Sequence, residues 1–228
     1  MAIAGIVAGG TGSRMGAGLP KQFLKIGSCT CLEHTVRAFL RVETVTKVIV
    51  GVHPEWVEEA AVLFSDERIF VIPGGAYRNE TVRRIVGFAL ETLHCPEQEV
   101  LLTHDAVRPF VSEEVIRDSL RVIEHCDVCT AALPAVDTMV LSPDGQSPQA
   151  FPERSTVFHV QTPQTFRLGD FARLYDRLPE KQRQEATDVC RLFYDNAGRV
   201  MLSSGDRLCR KLTYPEDLEW ARLHVSEL

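Results

Sequence analysis

One alternation organises this sequence: short apolar runs rich in β-branched residues take turns with longer stretches whose apolar residues recur at helical spacing. The runs at residues 3–8, 48–52, 69–72, 100–103 and 128–133 read as strands, and residues 31–42, 54–64, 80–93 and 112–125 read as helices. Leu32, Val36, Phe39 and Leu40 form one apolar stripe, and Val82, Ile85, Val86 and Ala89 form another. Pro54 opens one helix and Ser112 suits an N-cap. Such alternation predicts βαβ units and a mostly parallel sheet with helices on both faces. Right-handed crossovers then gather the loops that follow the strands at one edge, where α/β sheets bind ligands. Those loops begin near Gly9, Pro73, His104 and Pro134, and all four contain glycine or charged residues.

Residues 134–159 break the pattern. They hold Pro143, Pro148 and Pro152, a turn signal at Asp144-Gly145, and short alternating flanks at 138–141 and 157–160. This predicts a protruding β-hairpin arm. Beyond it the sequence predicts helices at 168–178 and 185–197, a strand at 199–203 and a last helix from Pro215. With no internal repeat and no linker composition, the expectation is a single domain over residues 1–228 with the arm at 134–159 inside it.

Composition narrows the partners. Lys and Arg number 25 against 31 Asp and Glu, a formal net charge of −6, and no stretch is basic. A general nucleic-acid binder needs a basic surface, so no nucleic-acid partner is expected. No apolar run approaches the roughly 18 residues of a membrane helix, so no membrane partner is expected. The start, Met1 to Val7, lacks the positive region of a secretory signal. Seven cysteines in apolar contexts suit reduced thiols in a cytoplasmic protein. Cys126-x-x-Cys129, preceded by His125, has no second pair to complete a metal site. An acidic balance still permits a small anionic substrate, because a few placed cations suffice.

The chemistry concentrates in the first loop, Gly9-Gly10-Thr11-Gly12-Ser13-Arg14-Met15-Gly16. Glycines let backbone N–H groups approach a polyphosphate, and a following helix end favours anions. The loop is neither a P-loop, since no G-K-[ST] closes it, nor a dinucleotide fingerprint, since Met15 stands in it. Arg14 within the loop and Lys21 beyond Pro20 offer cations of different reach, suited to charge developing on a phosphoryl group. No Ser/His/Asp or Cys/His arrangement can be assembled. On a strand His104 and Asp105 point to opposite faces, which gives His104 a structural place. Asp105 suits Mg²⁺ as a hard oxygen ligand, or else caps a following helix. Thr187-Asp188 reads either as a helix cap or as part of a site. Glu55, Glu58, Glu59, Glu113 and Glu114 read as solvated helix faces.

Ala8-Gly9-Gly10-x-Gly12-x-Arg14-Met15-Gly16, followed by Pro20-Lys21-Gln22-Phe23, resembles the nucleotidyltransferases that activate sugar and polyol phosphates. Further motifs narrow the resemblance: Gly74-Gly75-Ala76-Tyr77-Arg78-Asn79-Glu80-Thr81, Thr103-His104-Asp105-Ala106-Val107-Arg108-Pro109-Phe110 and Gln161-Thr162-Pro163-Gln164-Thr165-Phe166. With Thr187-Asp188 and the segment from Lys211 to Leu218, they are similar to one cytidylyltransferase family. That family holds the methylerythritol-phosphate enzyme of isoprenoid synthesis and the ribitol-5-phosphate enzyme of cell-envelope polymers.

The resemblance implies a Rossmann-like nucleotidyltransferase fold and transfer of CMP from CTP to a polyol phosphate with Mg²⁺. The motifs look more like the ribitol-5-phosphate branch, which implies CDP-ribitol and pyrophosphate as products. The methylerythritol 4-phosphate branch is the alternative, and a non-catalytic nucleotide-binding protein a remoter one. Carried over by position, the resemblance puts Val7, Ala8, Gly9 and Gly10 on the triphosphate, with Arg14 and Lys21 stabilising the transition state. It puts Gly75, Arg78, Asn79 and Thr81 around the cytidine, and Asp105 beside the phosphates and the metal. Thr138, Arg154, Thr162 and Lys211 would hold the polyol phosphate, Arg154 and Lys211 on its phosphate group. It further implies a homodimer in which the arm reaches a neighbouring subunit's site. Ala76 departs from the family, where Asp is common, so a base contact by that carboxylate is absent here.

Overall fold

The computed structural model describes residues 1–10 and 19–227. Its strands are β1 (Ala2–Ala8), β2 (Lys25–Ile26), β3 (Cys29–Thr30), β4 (Val45–Val52), β5 (Ile69–Pro73), β6 (Val100–Asp105), β7 (Val128–Pro134), β8 (Phe158–Arg167) and β9 (Val200–Ser204). Its helices are α1 (Cys31–Leu40), α2 (Val57–Ala61), α3 (Arg78–Gly87), α4 (Glu113–Val122), α5 (Leu168–Arg177), α6 (Glu180–Glu185), α7 (Val189–Asp195) and α8 (Pro215–Leu223). β2 and β3 form a small antiparallel pair, and the other strands form one sheet in the order β5-β4-β1-β6-β8-β7-β9. All neighbours are parallel except at β8, which runs antiparallel to both β6 and β7. The chain leaves β1 toward β4 and β5, then returns to β6 on the other side of β1. That reversal makes a crevice at the carboxyl ends of β1 and β6.

Both faces of the sheet are covered, as continuous apolar strands require. On one face Ala4, Ile6, Val48 and Val50 pack with Leu32, Val36 and Phe39 of α1 and Val115 and Ile116 of α4. On the other, Ile3, Ile49, Leu101 and Phe166 pack with Val82, Ile85 and Val86 of α3, Phe171 and Leu174 of α5, and Val189 and Leu192 of α7. Each such side chain contributes roughly 1.5–3 kcal/mol when fully buried. Local signals set the ends: the Thr30 hydroxyl accepts from the Glu33 N–H in a capping box on α1, and Ser112 caps α4 as expected.

Helix α3 lies unusually close to the sheet. A Cβ on Gly51 of β4 would stand 2.6 Å from Thr81 Cγ2. The missing side chain lets the first turn of α3, with Arg78 and Thr81, settle over the edge where β1 and β4 end.

Three expectations are corrected. Residues 161–166, quoted above only as a motif, belong to β8, and residues 158–160 are part of that same sheet strand rather than a free flank of the arm. The arm between β7 and β8 has one isolated antiparallel bridge, Leu141 to Ala150, and a short 3-10 turn at Arg154–Thr156, so its hairpin is minimal. The helix expected over 185–197 is shorter, Val189–Asp195, because the Asp188 carboxylate accepts from the Arg191 N–H and starts α7 there, after a separate α6 that ends at Glu185. All the cysteines are free thiols, and all but Cys95 are buried. Among the described residues, no helix is long and apolar enough to cross a membrane.

Candidate active site

Three of the four loops expected at one edge do meet there, around a cavity of about 380 Å³. Val7, Ala8, Gly9 and Gly10 form its floor at the end of β1. Gly75, Ala76, Tyr77, Arg78 and Thr81 form one wall, and Asp105, Ala106 and Val107 after β6 form another. Lys21, Gln22, Lys211 and Thr213 close the remaining side. The fourth loop, the arm, contributes no residue to this wall. Arg14 lies outside the described residues.

Backbone bonds from side chains set the floor and the first wall. Gln22, only 1% exposed, donates its Nε2 amide to the Ala8 carbonyl at 2.8 Å and the Gly10 carbonyl at 3.1 Å. It thereby pins the chain at Ala8 and Gly10 through carbonyls, without engaging a backbone N–H there. Nothing in the spacing of Gln22 beside Lys21 signals this role. On the wall, the Gly75 N–H donates to Thr81 Oγ1 at 3.0 Å and the Ala76 N–H to Glu80 Oε2 at 2.8 Å. A Cβ on Gly75 would fall 2.5 Å from Glu80 Cγ, so the Glu80 chain crosses the space glycine leaves. With Ala76 at this position, its N–H is already committed to Glu80.

Electrostatics centre on Asp105. Its carboxylate accepts from Arg78 Nε at 3.2 Å and Lys211 Nζ at 2.9 Å, with Arg108 Nε at 3.7 Å. Burial alone would raise this carboxyl. Arg78, Lys211 and Arg108 more than offset that, and hold it well below the usual carboxylate range. One carboxylate shared by three cations leaves positive charge in excess, and Lys21 lines the same cavity. Two nitrogens of this cluster, Arg78 Nη2 and Arg108 Nε, are buried and lack a hydrogen-bond partner. The cavity is therefore built for an anion in a protein whose net charge is −6. Asp105 does not cap a helix.

His104 supports this cluster from behind. It is fully buried, its Nε2 faces the Arg108 carbonyl at 3.1 Å, and its Nδ1 faces Thr162 Oγ1 at 2.9 Å. A carbonyl only accepts, so Nε2 carries the proton and Nδ1 accepts from the Thr162 hydroxyl. That hydroxyl also accepts from the Asp105 N–H at 3.3 Å. The Thr162 proton is thus committed to His104, and Thr162 fixes the backbone of Asp105 rather than lining the cavity. Burial pushes the His104 imidazole down to about 4, so it is neutral at pH 7.

Other site expectations fall elsewhere. Asn79 is 1% exposed and donates Nδ2 to the Ala186 carbonyl at 2.8 Å, which fastens α3 to the segment after α6 instead of facing the cavity. Thr138 and Arg154 are exposed on the arm, where Arg154 Nη1 donates to the Val136 carbonyl at 3.4 Å. Among the described residues, no group of three or more His, Cys, Asp or Glu is placed to hold a metal ion.

Comparison with known proteins gives this geometry a family. A model described as IspD, 2-C-methyl-D-erythritol 4-phosphate cytidylyltransferase, matches residues 2–227. A ribitol-5-phosphate cytidylyltransferase of Streptococcus pneumoniae (strain Hungary19A-6) is 37% identical over 234 residues, spanning 100% of both chains. The crystal structure of a 4-diphosphocytidyl-2C-methyl-D-erythritol synthase matches with a TM-score of 0.78 at 30% identity, over 98% of this chain and 97% of that one. The Francisella tularensis 2-C-methyl-D-erythritol 4-phosphate cytidylyltransferase shares the fold over 100% of both chains, with a TM-score of 0.82 at 22% identity. A cation-lined crevice at the end of β1 and a match running almost from end to end agree: the chain belongs to the IspD family of cytidylyltransferases.

Proposed function

We propose that this protein transfers CMP from CTP to D-ribitol 5-phosphate, releasing pyrophosphate and CDP-ribitol. The observation that carries the acceptor is the full-length 37% identity to ribitol-5-phosphate cytidylyltransferases. The cavity supports the chemistry, offering backbone N–H groups at Gly9 and Gly10 and cations at Lys21, Arg78 and Lys211.

A phosphate monoester has a second pKa of about 6, so the acceptor is mostly dianionic at pH 7. One of its oxygens attacks the α-phosphorus of CTP. A new P–O bond forms as the bond to the β-phosphate oxygen breaks, and pyrophosphate takes the electron pair. No proton has to be removed from the nucleophile, so the reaction asks for no general base, and the nearby imidazole of His104 is buried, neutral and engaged on both nitrogens. Position and charge supply the catalysis. Lys21, with Arg14 of the glycine loop, neutralises charge on the transferring phosphoryl group, and Lys211 serves the acceptor phosphate.

Mg²⁺ fits this donor set in one way. Asp105 is the one carboxylate among the described residues of the cavity wall, and it is shared with Arg78 and Lys211. A magnesium ion takes one or two carboxylates and completes its shell with phosphate oxygens and water. Asp105 would therefore hold a cation that arrives on the triphosphate, and the ion would neutralise phosphate charge. The arm belongs to the same proposal. Thr138 and Arg154 stand outside the cavity wall, so they complete the acceptor site of a neighbouring subunit in a homodimer, while residues 1–228 act as one catalytic domain.

The family description and the 30% identical structure favour a second acceptor, 2-C-methyl-D-erythritol 4-phosphate. Pyrophosphate release from CTP with each acceptor decides between them. Higher kcat/KM with ribitol 5-phosphate is expected; preference for methylerythritol phosphate overturns the acceptor assignment. CTP bound but turned over with neither overturns the enzyme reading.

A further inference from the structure

Behind the cavity wall, β8 carries a buried amide that the proposed chemistry does not use. Gln164 is 1% exposed and pairs across the sheet with Thr103 of β6 and Thr130 of β7. Its carbonyl Oε1 accepts two N–H groups, Arg78 Nη1 at 3.1 Å and the backbone N–H of Val189 at 3.2 Å. Arg78 in turn donates Nε to Asp105 Oδ1 at 3.2 Å, and its Nη2 is buried without a partner. The guanidinium is thus gripped at two points, at Nε and Nη1, which leaves the Nη2 amino group unpaired among the described residues on a residue that lines the cavity.

The chemistry of the two grips differs. Asp105 is an anion already shared with Lys211 and Arg108, so it holds Arg78 without fully cancelling the local charge. Gln164 is neutral. A neutral acceptor still takes a directional hydrogen bond from the guanidinium, weaker than a carboxylate's, yet subtracts nothing from the charge an anionic ligand meets. A long arginine side chain left with one grip would spend time in other rotamers and lose that advantage.

We infer that Gln164 is the positioning residue for Arg78: its amide oxygen fixes the guanidinium at the cavity wall while leaving it charged for the nucleotide. The nucleotide part of this inference rests on the CTP reading of the cavity. The same amide also receives the N–H of Val189 at the start of α7, so an effect on that helix must be separated from an effect on Arg78.

The experiment combines steady-state kinetics with NMR of the full chain carrying ¹⁵N-arginine. Gln164→Met removes the acceptor at nearly constant volume, and Gln164→Glu keeps it but adds a charge. Gln164→Met is expected to raise KM for CTP about tenfold with a smaller change for the acceptor, the loss of a hydrogen bond to a charged group. In an Arg78→Ala background it is expected to add nothing. The Arg78 Nη–H signals should exchange slowly in the parent, broaden in Gln164→Met and persist in Gln164→Glu, because Nη1 is the nitrogen that Gln164 holds. Gln164→Glu should nonetheless weaken CTP, because the new carboxylate cancels the guanidinium charge.

Equal effects of Gln164→Met with and without Arg78, or unchanged Arg78 Nη–H signals, overturn the inference. So does an Asp188→Ala variant that reproduces the CTP defect, since it disturbs α7 and not Arg78. If Arg78→Ala leaves KM for CTP unchanged, the nucleotide reading of the cavity fails, while the NMR signal still decides whether Gln164 orients Arg78.

Discussion

The crevice at the ends of β1 and β6 and the arm between β7 and β8 both carry residues expected to touch substrate, but they are built in opposite ways. In the crevice the groups around Asp105 are tied from behind: its carboxylate by Arg78 and Lys211, its backbone by Thr162, and the end of β1 by Gln22. On the arm, Thr138 and Arg154 are exposed, and the segment is held together by one bridge and a turn. Preorganised charge lowers a barrier because it need not reorganise during the reaction, so the chemical step belongs to the crevice. A loosely held arm suits a binding contribution that is completed when another surface meets it.

The largest effect should separate the two regions most sharply. Lys21→Ala is expected to lower kcat by about 10²–10³-fold with little change in KM for the acceptor, the scale for removing one preorganised donor to a transition state. Single-turnover kinetics with saturating CTP would measure it. A kcat within a few fold of the parent would put the decisive charge elsewhere.

The support beneath the crevice should be visible in pH. His104 is held neutral by burial, at about 4 against its ordinary value of about 6.5. Because the folded value is depressed, the unfolded chain binds the proton more readily. Stability is then fully present above about pH 6.5 and is lost as the pH falls toward 4, by about 3 kcal/mol in all. Asp105 is depressed further still and stays ionised through this window. Melting curves of the parent and of His104→Gln between pH 7 and 4.5 should converge as the pH drops. A constant gap between them contradicts the buried neutral imidazole.

Arg154→Ala should act next in size, raising KM for the acceptor about tenfold while leaving KM for CTP unchanged, as expected for loss of one charged contact. If the arm serves a neighbouring subunit, mixing Lys21→Ala and Arg154→Ala protomers should restore part of the activity. One of the mixed sites then has both an intact crevice and an intact arm. No recovery on mixing would place Arg154 in its own subunit's reaction or outside it.

How far the sequence could be read follows the same division. The parallel strands and the edge they create were legible because β-branched runs and helical stripes are repeated signals, and Lys21, Arg78, Asp105 and Lys211 then converge by topology. β8 was hidden because Pro163 and its polar neighbours argue against a central strand. The register explains the tolerance: Thr130 pairs with Gln164 and Ala132 with Val160, so Pro163 sits within an irregular bulge and owes no N–H to the ladder. Asn79 was misplaced for a different reason. It follows Arg78 by one residue on α3, a rotation of about 100° around a helix, so a shared motif does not mean a shared direction. Thr162 and Gln22 act through hydrogen bonds to distant backbone, which no spacing rule reveals.

The smallest effect is expected at the tip of the arm, and it tests whether the arm's internal order matters. Asp144 organises the turn by accepting from the Gln146 and Ser147 N–H groups at 2.9 Å each, and Ser142 Oγ donates to it at 2.9 Å. The Ser147 hydroxyl, which also donates to it, and then those bonds hold its carboxyl below the usual range, yet all of them are exposed to water, which competes for the same groups. Asp144→Ala should therefore leave the melting temperature and KM for CTP unchanged within error. If the arm works only when seated on a second surface, KM for the acceptor should also barely move, because that surface and not the turn supplies the order. A rise in KM for the acceptor comparable to that of Arg154→Ala would mean that the turn itself presents Arg154, and the contrast between a prebuilt crevice and a loosely held arm would no longer stand.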